Sequence, residues 1–264
     1  MESVLDRVIK QNTENVNLLK TKDYNIFSVL QIQSKEVLIC RMIADLLNPR
    51  GQHGAGAEYL KIFLRDCLGM EKMDTKLADQ AIVTAEYAID DERRIDIVIE
   101  MGSYFLPIEV KIYAADQKSQ CFDYYQYAKR RDAQAKVYYL TLDGHRPGKD
   151  STSSGSQSVP EEDIVCLSFR EHILNWLKAC KSCENTGMVP ILEQFIHNIE
   201  QISGYTSEKV RNMVIDELLK SGDSLRAGMQ IADSINAAKA KLIYLVFEEF
   251  EKQLAGVAEK NHCK

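Results

Sequence analysis

The chain has 264 residues, of which 45% are hydrophobic and 27% are charged, and its formal net charge is -6. This composition allows a buried core and argues against a protein whose whole surface binds nucleic acid, although a local basic groove stays compatible with it. No apolar run approaches the ~20 residues of a membrane span, so no membrane partner is expected. The start of the chain has no signal-peptide core, and seven cysteines without framework spacing predict reduced thiols in a cytoplasmic protein.

The first part of the sequence is predicted to be helical. Residues 1–30 have the pattern of an amphipathic helix followed by an irregular segment. In "SKEVLICRMIADLLNP", apolar residues recur at helical spacing until Asn48 and Pro49 end the helix. A glycine-rich loop, "RGQHGAG", separates it from a second helix, "AEYLKIFLRDCLG", which Gly69 closes.

The hydrophobic period then changes from that of a helix to that of strands. Three short runs, "AIVTAEYAI", "RRIDIVIE" and "FLPIEVKIY", are joined by turn-like segments and predict an antiparallel meander. A helix, "AADQKSQCFDYYQYAKRRD", follows, and then two strands, "KVYYLTL" and "DIVCLSF". Between these two strands a polar segment dense in Gly, Ser and Pro predicts a long mobile loop.

From Ser168 onward the pattern is helical. Ser168 and Glu171 have the spacing of a capping box before "FREHILNWLKAC", and Pro190 occupies a first-turn position of the next helix. Two further helical segments, "SEKVRNMVIDELLKSG" and "INAAKAKLIYLVFEEFEKQLAG", complete the chain. The order of the elements predicts an α/β or α+β core followed by a helical C-terminal half.

Three charged residues on the meander have a spacing that suits chemistry. Glu109 and Lys111 are two residues apart in a strand, so their side chains lie on the same side of it. Taken alone, such a pair is most simply a solvated pair on an edge strand. Asp96, however, lies between two isoleucines on the preceding strand, where a carboxylate is unfavourable without a partner. Two neighbouring carboxylates predict a Mg²⁺ site, with Lys111 beside it to orient a water and offset phosphate charge.

"RRID" followed by "IEVK" resembles the Asp…Glu-x-Lys signature of the PD-(D/E)xK nuclease superfamily. The stretches "KEVLICRMIADLLNPRGQHGAG", "VTAEYAIDDERRIDIVIE", "IEVKIYAADQKSQCFDYYQYA" and "VYYLTLDGHRP" are similar, in the same order, to one bacterial branch, the group 4 proteins. The resemblance covers about residue 34 to about residue 176. The chain departs from the pattern at Ile95, where the superfamily has proline, at Val110, where we expect Asn, and at Cys121, where we expect Leu.

The resemblance implies an α/β, restriction-endonuclease-like core, with a central mixed sheet of about five strands flanked by helices. We expect this core and its N-terminal helices in residues 1–176, and a helical C-terminal extension packed on the core in residues 177–264.

The resemblance also implies roles for individual residues. Asp96 and Glu109 correspond to the metal-binding acids, and Lys111 to the lysine near the nucleophilic water. The backbone carbonyl of Val110 corresponds to a further metal ligand. Glu36 matches an acid that completes the site or holds a second metal, although it could equally be an acid favoured by the helix dipole.

Other residues have both a site role and a structural role open to them. Gln120 and Tyr124 match a Gln-x-x-x-Tyr pattern whose spacing puts both side chains on one helical face over the site, but they could instead be surface and core residues. Glu86 is either a site acid or a support for Arg94 across the hairpin. His53 is either an exposed loop residue or a residue near the site.

The basic residues Lys129, Arg130 and Arg131 end the helix after the lysine strand, and they are either solvated or in contact with phosphates. The expected function is that of a Mg²⁺- or Mn²⁺-dependent endonuclease that hydrolyses phosphodiester bonds in DNA rather than RNA. The alternative is a binding or regulatory module that keeps the nuclease fold with little or no activity. In either case the helical C-terminal part could hold a second copy of the chain or a partner protein.

Overall fold

A computed structural model describes residues 24–71, 74–183, 186–204, 214–216 and 218–262. The predicted helix at the start of the chain and half of "SEKVRNMVIDELLKSG", residues 207–213 and 217, lie outside the described residues. Residues 24–204 belong to one compact unit, and residues 214–262 belong to a second.

Helices precede, interrupt and follow the strands of the first unit. The helices are α1 (Ile26–Val29), α2 (Glu36–Leu47), α3 (Glu58–Asp66), α4 (Thr75–Asp79), α5 (Gln120–Arg131), α6 (Lys149–Thr152), α7 (Leu174–Lys181) and α8 (Val189–Ile202). The strands are β1 (Ile82–Ala88), β2 (Arg94–Met101), β3 (Tyr104–Lys111), β4 (Val137–Thr141), β5 (Ser153–Ser154), β6 (Gln157–Ser158) and β7 (Ile164–Ser168). The two N-terminal helices predicted from the apolar periodicity are α2 and α3, and Gly69 follows α3 with a φ of 66°.

The central sheet has five strands in the order β1-β2-β3-β4-β7. The pairs β1–β2 and β2–β3 are antiparallel, as the short turns between them predict, whereas β3–β4 and β4–β7 are parallel. The mixed sheet and the α/β class are therefore confirmed. In a parallel pair the carboxyl ends of both strands meet at one edge, so β3 and β4 end side by side.

The sheet has a hydrophobic core on each face. One core joins apolar side chains of α2, α3, α7 and α8 to one face of the sheet. The other joins side chains of α5, including Cys121 and Tyr124, to the opposite face. The fully buried Trp176 of α7 donates a hydrogen bond from Nε1 to the carbonyl of Tyr59 at 2.8 Å, so α7 is fixed to α3.

The polar segment between β4 and β7 is more ordered than its composition predicts. It contains α6, the small hairpin β5–β6 and a 3-10 turn, Glu161–Asp163. Ser151 is fully buried, and Ser119 donates hydrogen bonds from its amide to the Asp150 carbonyl (2.7 Å) and from Oγ to the Ser153 carbonyl (2.8 Å). The small polar residues form these local and cross-loop hydrogen bonds, which a prediction from composition does not capture.

The helices after the sheet begin as predicted. The Ser168 side chain accepts a hydrogen bond from the Glu171 amide, a π-helical turn (Phe169–Ile173) follows, and α7 continues from it. Pro190 lies in the first turn of α8. Leu177 and Phe195 contribute to the core on the α2 side. The division of the chain at residue 176 stays a prediction.

The second unit contains one long helix, α9 (Gly222–His262), of 41 residues. None of the helices in the described parts of the chain is both long enough and apolar enough to cross a membrane.

Candidate active site

The three charged residues of the meander lie where two strands separate. The ladder between β2 and β3 ends at the pair Ile97–Ile108, while β3 continues beside β4 to the pair Lys111–Thr141. Asp96 is the residue before Ile97 and Glu109 is the residue after Ile108, so both lie just beyond the last β2–β3 pair. The Asp96 side chain accepts a hydrogen bond from the Val110 amide at 2.8 Å, so its carboxylate replaces the missing backbone partner. We call the point at which β2 and β3 separate, beyond the pair Ile97–Ile108, the strand fork.

Asp96 also lies where the strands change the face that they present to each core. Residues two apart in a regular strand share a face, but Ile97 belongs to the core beneath α2 and Ile95 to the core beneath α5. On β1, Ala85 likewise packs against the core beneath α2, and Tyr87, two residues later, packs against the core beneath α5. Glu86 between them has a φ of 53°, which is rare for a residue with a side chain. This irregularity explains how the apolar strand β2 accommodates a carboxylate.

Glu109 and Lys111 form a buried ion pair. Their side chains are 1% and 7% exposed, and Lys111 Nζ lies 2.5 Å from Glu109 Oε1. The other oxygen, Glu109 Oε2, is buried and has no hydrogen-bond partner among the described residues. Burial, and then the charge of Asp96, raise the pKa of Glu109 well above its usual value.

The neighbouring charges determine the ionisation of Asp96 and Lys111. Burial raises the pKa of Asp96, although the Val110 amide and the Lys111 charge oppose the rise. Burial acts to lower the pKa of Lys111, but the carboxylates of Glu109, Asp96 and Glu36 outweigh it, so the pKa is raised and the ammonium form is favoured. A positive charge thus lies among three acids.

Glu36 is brought to the same place from the first turn of α2. Its Oε2 accepts a hydrogen bond from the Ile112 amide at 2.8 Å, immediately after β3 ends. Cys40, one turn later on α2, is buried, and its pKa is raised by burial and then by the charges of Asp96, Glu36 and Glu109. Sequence reasoning did not single out Cys40, and only its i+4 spacing from Glu36 could have indicated it.

Gln120 and Tyr124 lie on the buried face of α5, as their spacing predicts. Gln120 Nε2 donates to the Tyr124 hydroxyl at 3.0 Å, and that hydroxyl donates to the Arg94 carbonyl at 2.5 Å. Burial, and then the charge of Glu109, raise the pKa of Tyr124. The pair therefore supports β2 two residues before Asp96.

Arg93, which the sequence did not indicate, connects the β1–β2 turn to the segment after β3. Its guanidinium donates to Asp123 Oδ2 at 3.0 Å, to Gln117 Oε1 at 2.9 Å and to the Lys118 carbonyl at 2.6 Å. These bonds hold the start of β2 against the start of α5, so Arg93 contributes to the position of Asp96.

Glu86, Arg94 and His53 have contacts that differ from those expected. Glu86 Oε2 accepts hydrogen bonds from Arg41 of α2, with Nη2 at 2.6 Å, so Glu86 supports α2 rather than Arg94. The Arg94 side chain is exposed.

His53 is not an exposed loop residue, because it is only 4% exposed. Its Nδ1 accepts from the Ala55 amide (3.0 Å), and Nε2 lies 2.9 Å from the Asn48 carbonyl, which assigns the proton to Nε2. Both ring nitrogens are therefore engaged within the loop. A site role for Glu86, Arg94 or His53 stays a prediction.

The basic end of α5 is partly occupied by contacts within the protein. Lys129 pairs with Asp163 at 3.2 Å, and Arg131 pairs with Glu100 at 3.0 Å and lies over the rings of Tyr127 and two other aromatic residues. Arg130 is exposed. A phosphate contact for these three residues stays a prediction.

The donors of the site suit a hard divalent cation. Asp96, Glu109 and Glu36 supply carboxylate oxygens, and Glu109 Oε2 is a buried acceptor without a partner, which a cation would satisfy. In the arrangement described, Lys111 occupies the other Glu109 oxygen, and no three His, Cys, Asp or Glu side chains in the described ranges are grouped closely enough to hold a metal ion. The donor chemistry therefore fits the group, and small side-chain movements would have to bring the oxygens together.

Comparison with known proteins agrees with this geometry. A family model of the PD-(D/E)XK nuclease superfamily matches residues 24–198, which is well over half of the chain. The chain belongs to this superfamily. The matched residues include the sheet, α2, α5 and all the acids of the strand fork, so the family assignment and the geometry concern the same part of the molecule. No curated protein and no solved structure matches the chain.

Proposed function

We propose that the chain is a metal-dependent endonuclease that hydrolyses phosphodiester bonds in DNA. Membership of the nuclease superfamily supports a hydrolytic reaction on nucleic acid. The observation that supports a catalytic site in this chain is the buried Glu109, which has one oxygen on Lys111 and the other without a partner in the described structure. A buried carboxylate oxygen without a hydrogen-bond partner is costly, and such a cost is commonly found at functional sites.

The proposed cation is Mg²⁺ or Mn²⁺. Asp96 and Glu109 would hold it, with the Val110 carbonyl and Glu36 as further ligands. When bound, it would polarise the phosphate and lower the pKa of a water molecule. The backbone amides of Val110 and Ile112, already bound to Asp96 and Glu36, keep one oxygen of each acid fixed and leave the second oxygen of each for a ligand.

Lys111 has two proposed tasks on the phosphate side of the site. Its ammonium group, released from Glu109, would orient the attacking water and offset the negative charge that develops on the phosphate. Its burial excludes bulk water from that contact and strengthens the interaction. Tyr124, Gln120 and Arg93 are positioning residues, since each contacts the backbone or side chains that hold Asp96 in place.

A cleavage assay on plasmid DNA tests this function. We expect nicking or linearisation with Mg²⁺ or Mn²⁺, none with EDTA, and a loss of at least about 1,000-fold in rate for Asp96→Asn and Lys111→Met. Lys76→Ala, an exposed cation on α4, is the matched control and should cleave as the wild type does. Metal-dependent cleavage by Asp96→Asn at the wild-type rate would contradict the assignment. RNA and single-stranded DNA offered in parallel decide between substrates.

A nuclease-fold binding or regulatory module is the second candidate. The observation that favours it is the ion pair between Lys111 and Glu109, together with the lack of a closed three-ligand group among the described residues. Calorimetric titration with Mn²⁺ separates the two proposals. Binding that Asp96→Asn abolishes supports the nuclease, whereas no heat at millimolar Mn²⁺ supports the module.

The apolar residues on α9 support a proposed interface in the second unit. Ile243, Phe247, Phe250 and Leu254 follow one another at helical spacing and are each more than half exposed. We propose that a second copy of the chain or a partner protein covers them. Sedimentation equilibrium of the wild type and of Phe247→Glu tests self-association. The same mass for both proteins, equal to that of the monomer, would exclude a homodimer.

A further inference from the structure

The two parallel strands of the site, β3 and β4, are followed by loops that lie together. The β3 loop comprises residues 112–119 and the β4 loop comprises residues 142–148. Asp116 joins them, because its Oδ1 accepts from the Tyr139 hydroxyl at 2.6 Å and its Oδ2 accepts from the Gly148 amide at 2.7 Å. Ligands of α/β sheets bind beyond the carboxyl ends of parallel strands, so these loops flank the place where a substrate of the fork would lie.

An Asp–His pair projects from the β4 loop. His145 Nδ1 lies 2.6 Å from Asp143 Oδ1, and both side chains are more than half exposed. The same carboxylate oxygen accepts the His145 amide at 3.2 Å, and the Gly144 amide donates to Thr141 Oγ1 at 2.8 Å, so the loop holds the imidazole in one orientation. The bond to His145 lowers the pKa of Asp143, which stays an acceptor. Nδ1 therefore donates, and Nε2 is directed away from the carboxylate.

Tyr139 connects this pair to the catalytic strand. Its register partner on β3 is Glu109, at the ~4.8 Å spacing of neighbouring strands. Its ring lies edge-on to the His145 ring with the centroids 6.2 Å apart. Partners in a parallel ladder point to the same face, so His145 is one aromatic side chain away from the acid of the site.

Cations follow both strands: Lys118 lies in the β3 loop, Arg146 in the β4 loop and Lys149 at the start of α6. Lys118 and Lys149 are exposed, and in the part of the chain that the structure describes neither ammonium group forms an ion pair. Arg146, next to His145, is also exposed and donates one hydrogen bond to the Glu161 carbonyl at 3.0 Å. Exposed cationic donors beyond the strand ends are groups that phosphate oxygens can contact.

We infer that His145, with both ring nitrogens protonated, donates one hydrogen bond from Nδ1 to Asp143 and another from Nε2 to a backbone phosphate of the nucleic-acid strand beside the scissile phosphate. This inference rests on the proposed function only in taking nucleic acid as the ligand. In this arrangement the β4 loop positions the nucleic-acid strand across the strand fork.

The test measures binding without cleavage, so that it does not depend on catalysis. The full chain, in EDTA, is titrated against a fluorescent 20-base-pair DNA duplex and a matched single strand, at several salt concentrations. We expect His145→Ala to weaken binding roughly tenfold, as for a hydrogen bond to a charged group, and to lower the slope of log K against log salt by up to about one. His145→Arg, which keeps a donor and a charge, should restore most of the affinity.

Lys76→Ala is the control. Leu77, next to it on α4, lies against Gly102 in the β2–β3 turn, so Lys76 is at the opposite end of β3 from the site, and we expect a change of less than twofold. Thermal unfolding should show equal midpoints for the wild type and His145→Ala, because the imidazole is exposed.

The possible results separate this inference from the proposed function. If His145→Ala binds as tightly as the wild type, the inference is wrong, and cleavage by the wild type would still support the nuclease. If His145→Ala weakens binding while no protein cleaves, the inference stands and the binding module is favoured. If the wild type binds neither probe, the inference is overturned.

Discussion

Lys111 and Glu109 form an ion pair that is buried from water. The cost of substituting either residue therefore depends on whether the other charge is kept. Removing one member of a buried pair leaves the other charge without compensation, which costs more than removing both. Glu109 would in addition be left beside Asp96, a second acid.

We therefore expect Lys111→Met to lower the free energy of unfolding by about 3 kcal/mol in EDTA. The double variant Glu109→Gln with Lys111→Met should recover at least about 1 kcal/mol of that loss, because both charges are removed together. Urea denaturation measures both. Lys61→Met, which breaks a more exposed ion pair with Glu58 and Asp79, is the control and should cost less than about 1 kcal/mol. Equal losses for the single and double variants would show that the pair is not coupled.

Glu36 has a structural bond and a proposed metal-binding oxygen, and two substitutions separate them. Glu36→Gln keeps an acceptor for the Ile112 amide, so the free energy of unfolding should change by less than about 0.5 kcal/mol, while metal-dependent cleavage falls at least about tenfold. Glu36→Ala should lose the same activity and also about 1 kcal/mol of stability. Full activity of Glu36→Gln would show that Glu36 contributes only its hydrogen bond to the Ile112 amide and does not bind metal.

At the scale of elements, α5 acts as a brace for β2. The Tyr124 hydroxyl holds the Arg94 carbonyl, and Gln120 holds that hydroxyl. Tyr124→Phe leaves a carbonyl of β2 without its donor, so we expect a loss of about 1 kcal/mol of stability and a roughly tenfold lower kcat/KM. Tyr125→Phe, on the same helix, loses its bond to Asp163 and should change stability without changing kcat/KM. Equal effects of both variants on cleavage would contradict a specific positioning role.

The start of the helix after β7 should respond to pH. Burial lowers the pKa of His172, whose Nδ1 accepts a hydrogen bond from the Ser168 amide at 3.1 Å. The unfolded chain then binds a proton more readily than the folded one, so the stability contributed by the neutral ring is present above the usual pKa of about 6.5 and is lost as the pH falls below it. At pH 7.5 the thermal midpoint of the wild type should exceed that of His172→Gln, and at pH 5 this difference should be smaller. The same difference at both pH values would show that the pKa of the ring does not change on unfolding.

At the scale of the whole molecule, the helices after residue 176 supply side chains to the core that supports the site. Leu177, Phe195 and Ile199 are fully buried in the core shared with α2 and α3. The single tryptophan, Trp176, is buried beside Phe63, with the ring centroids 5.3 Å apart, and therefore reports on this core.

A fragment of residues 24–204 should fold cooperatively, with blue-shifted tryptophan fluorescence that shifts to the red in one step in urea. A fragment of residues 1–176 lacks those apolar side chains, and its fluorescence should resemble that of the unfolded chain. The reverse result would place the boundary of the folding unit at residue 176.

The sequence by itself determined the main helices and strands of the core, and it predicted the residues of the candidate site. The apolar periods fixed α2, α3, α5 and the five strands of the sheet, because they depend on neighbours a few residues apart. The alternation in "IEVK" put Glu109 and Lys111 on one side of β3, and the family pattern added Asp96, Glu36, Gln120 and Tyr124.

Only the tertiary structure decided how these residues meet. Three features join residues that are distant in sequence: the strand fork, the bond from Ile112 to Glu36 and the pairing of Glu86 with Arg41. A fourth, the enclosure of His53, depends on one loop conformation. Side-chain contacts of this kind follow from strand register and helix packing, which local preferences do not specify. The loops around His145 belong to the same class, because they lie together only where the ends of two parallel strands lie side by side.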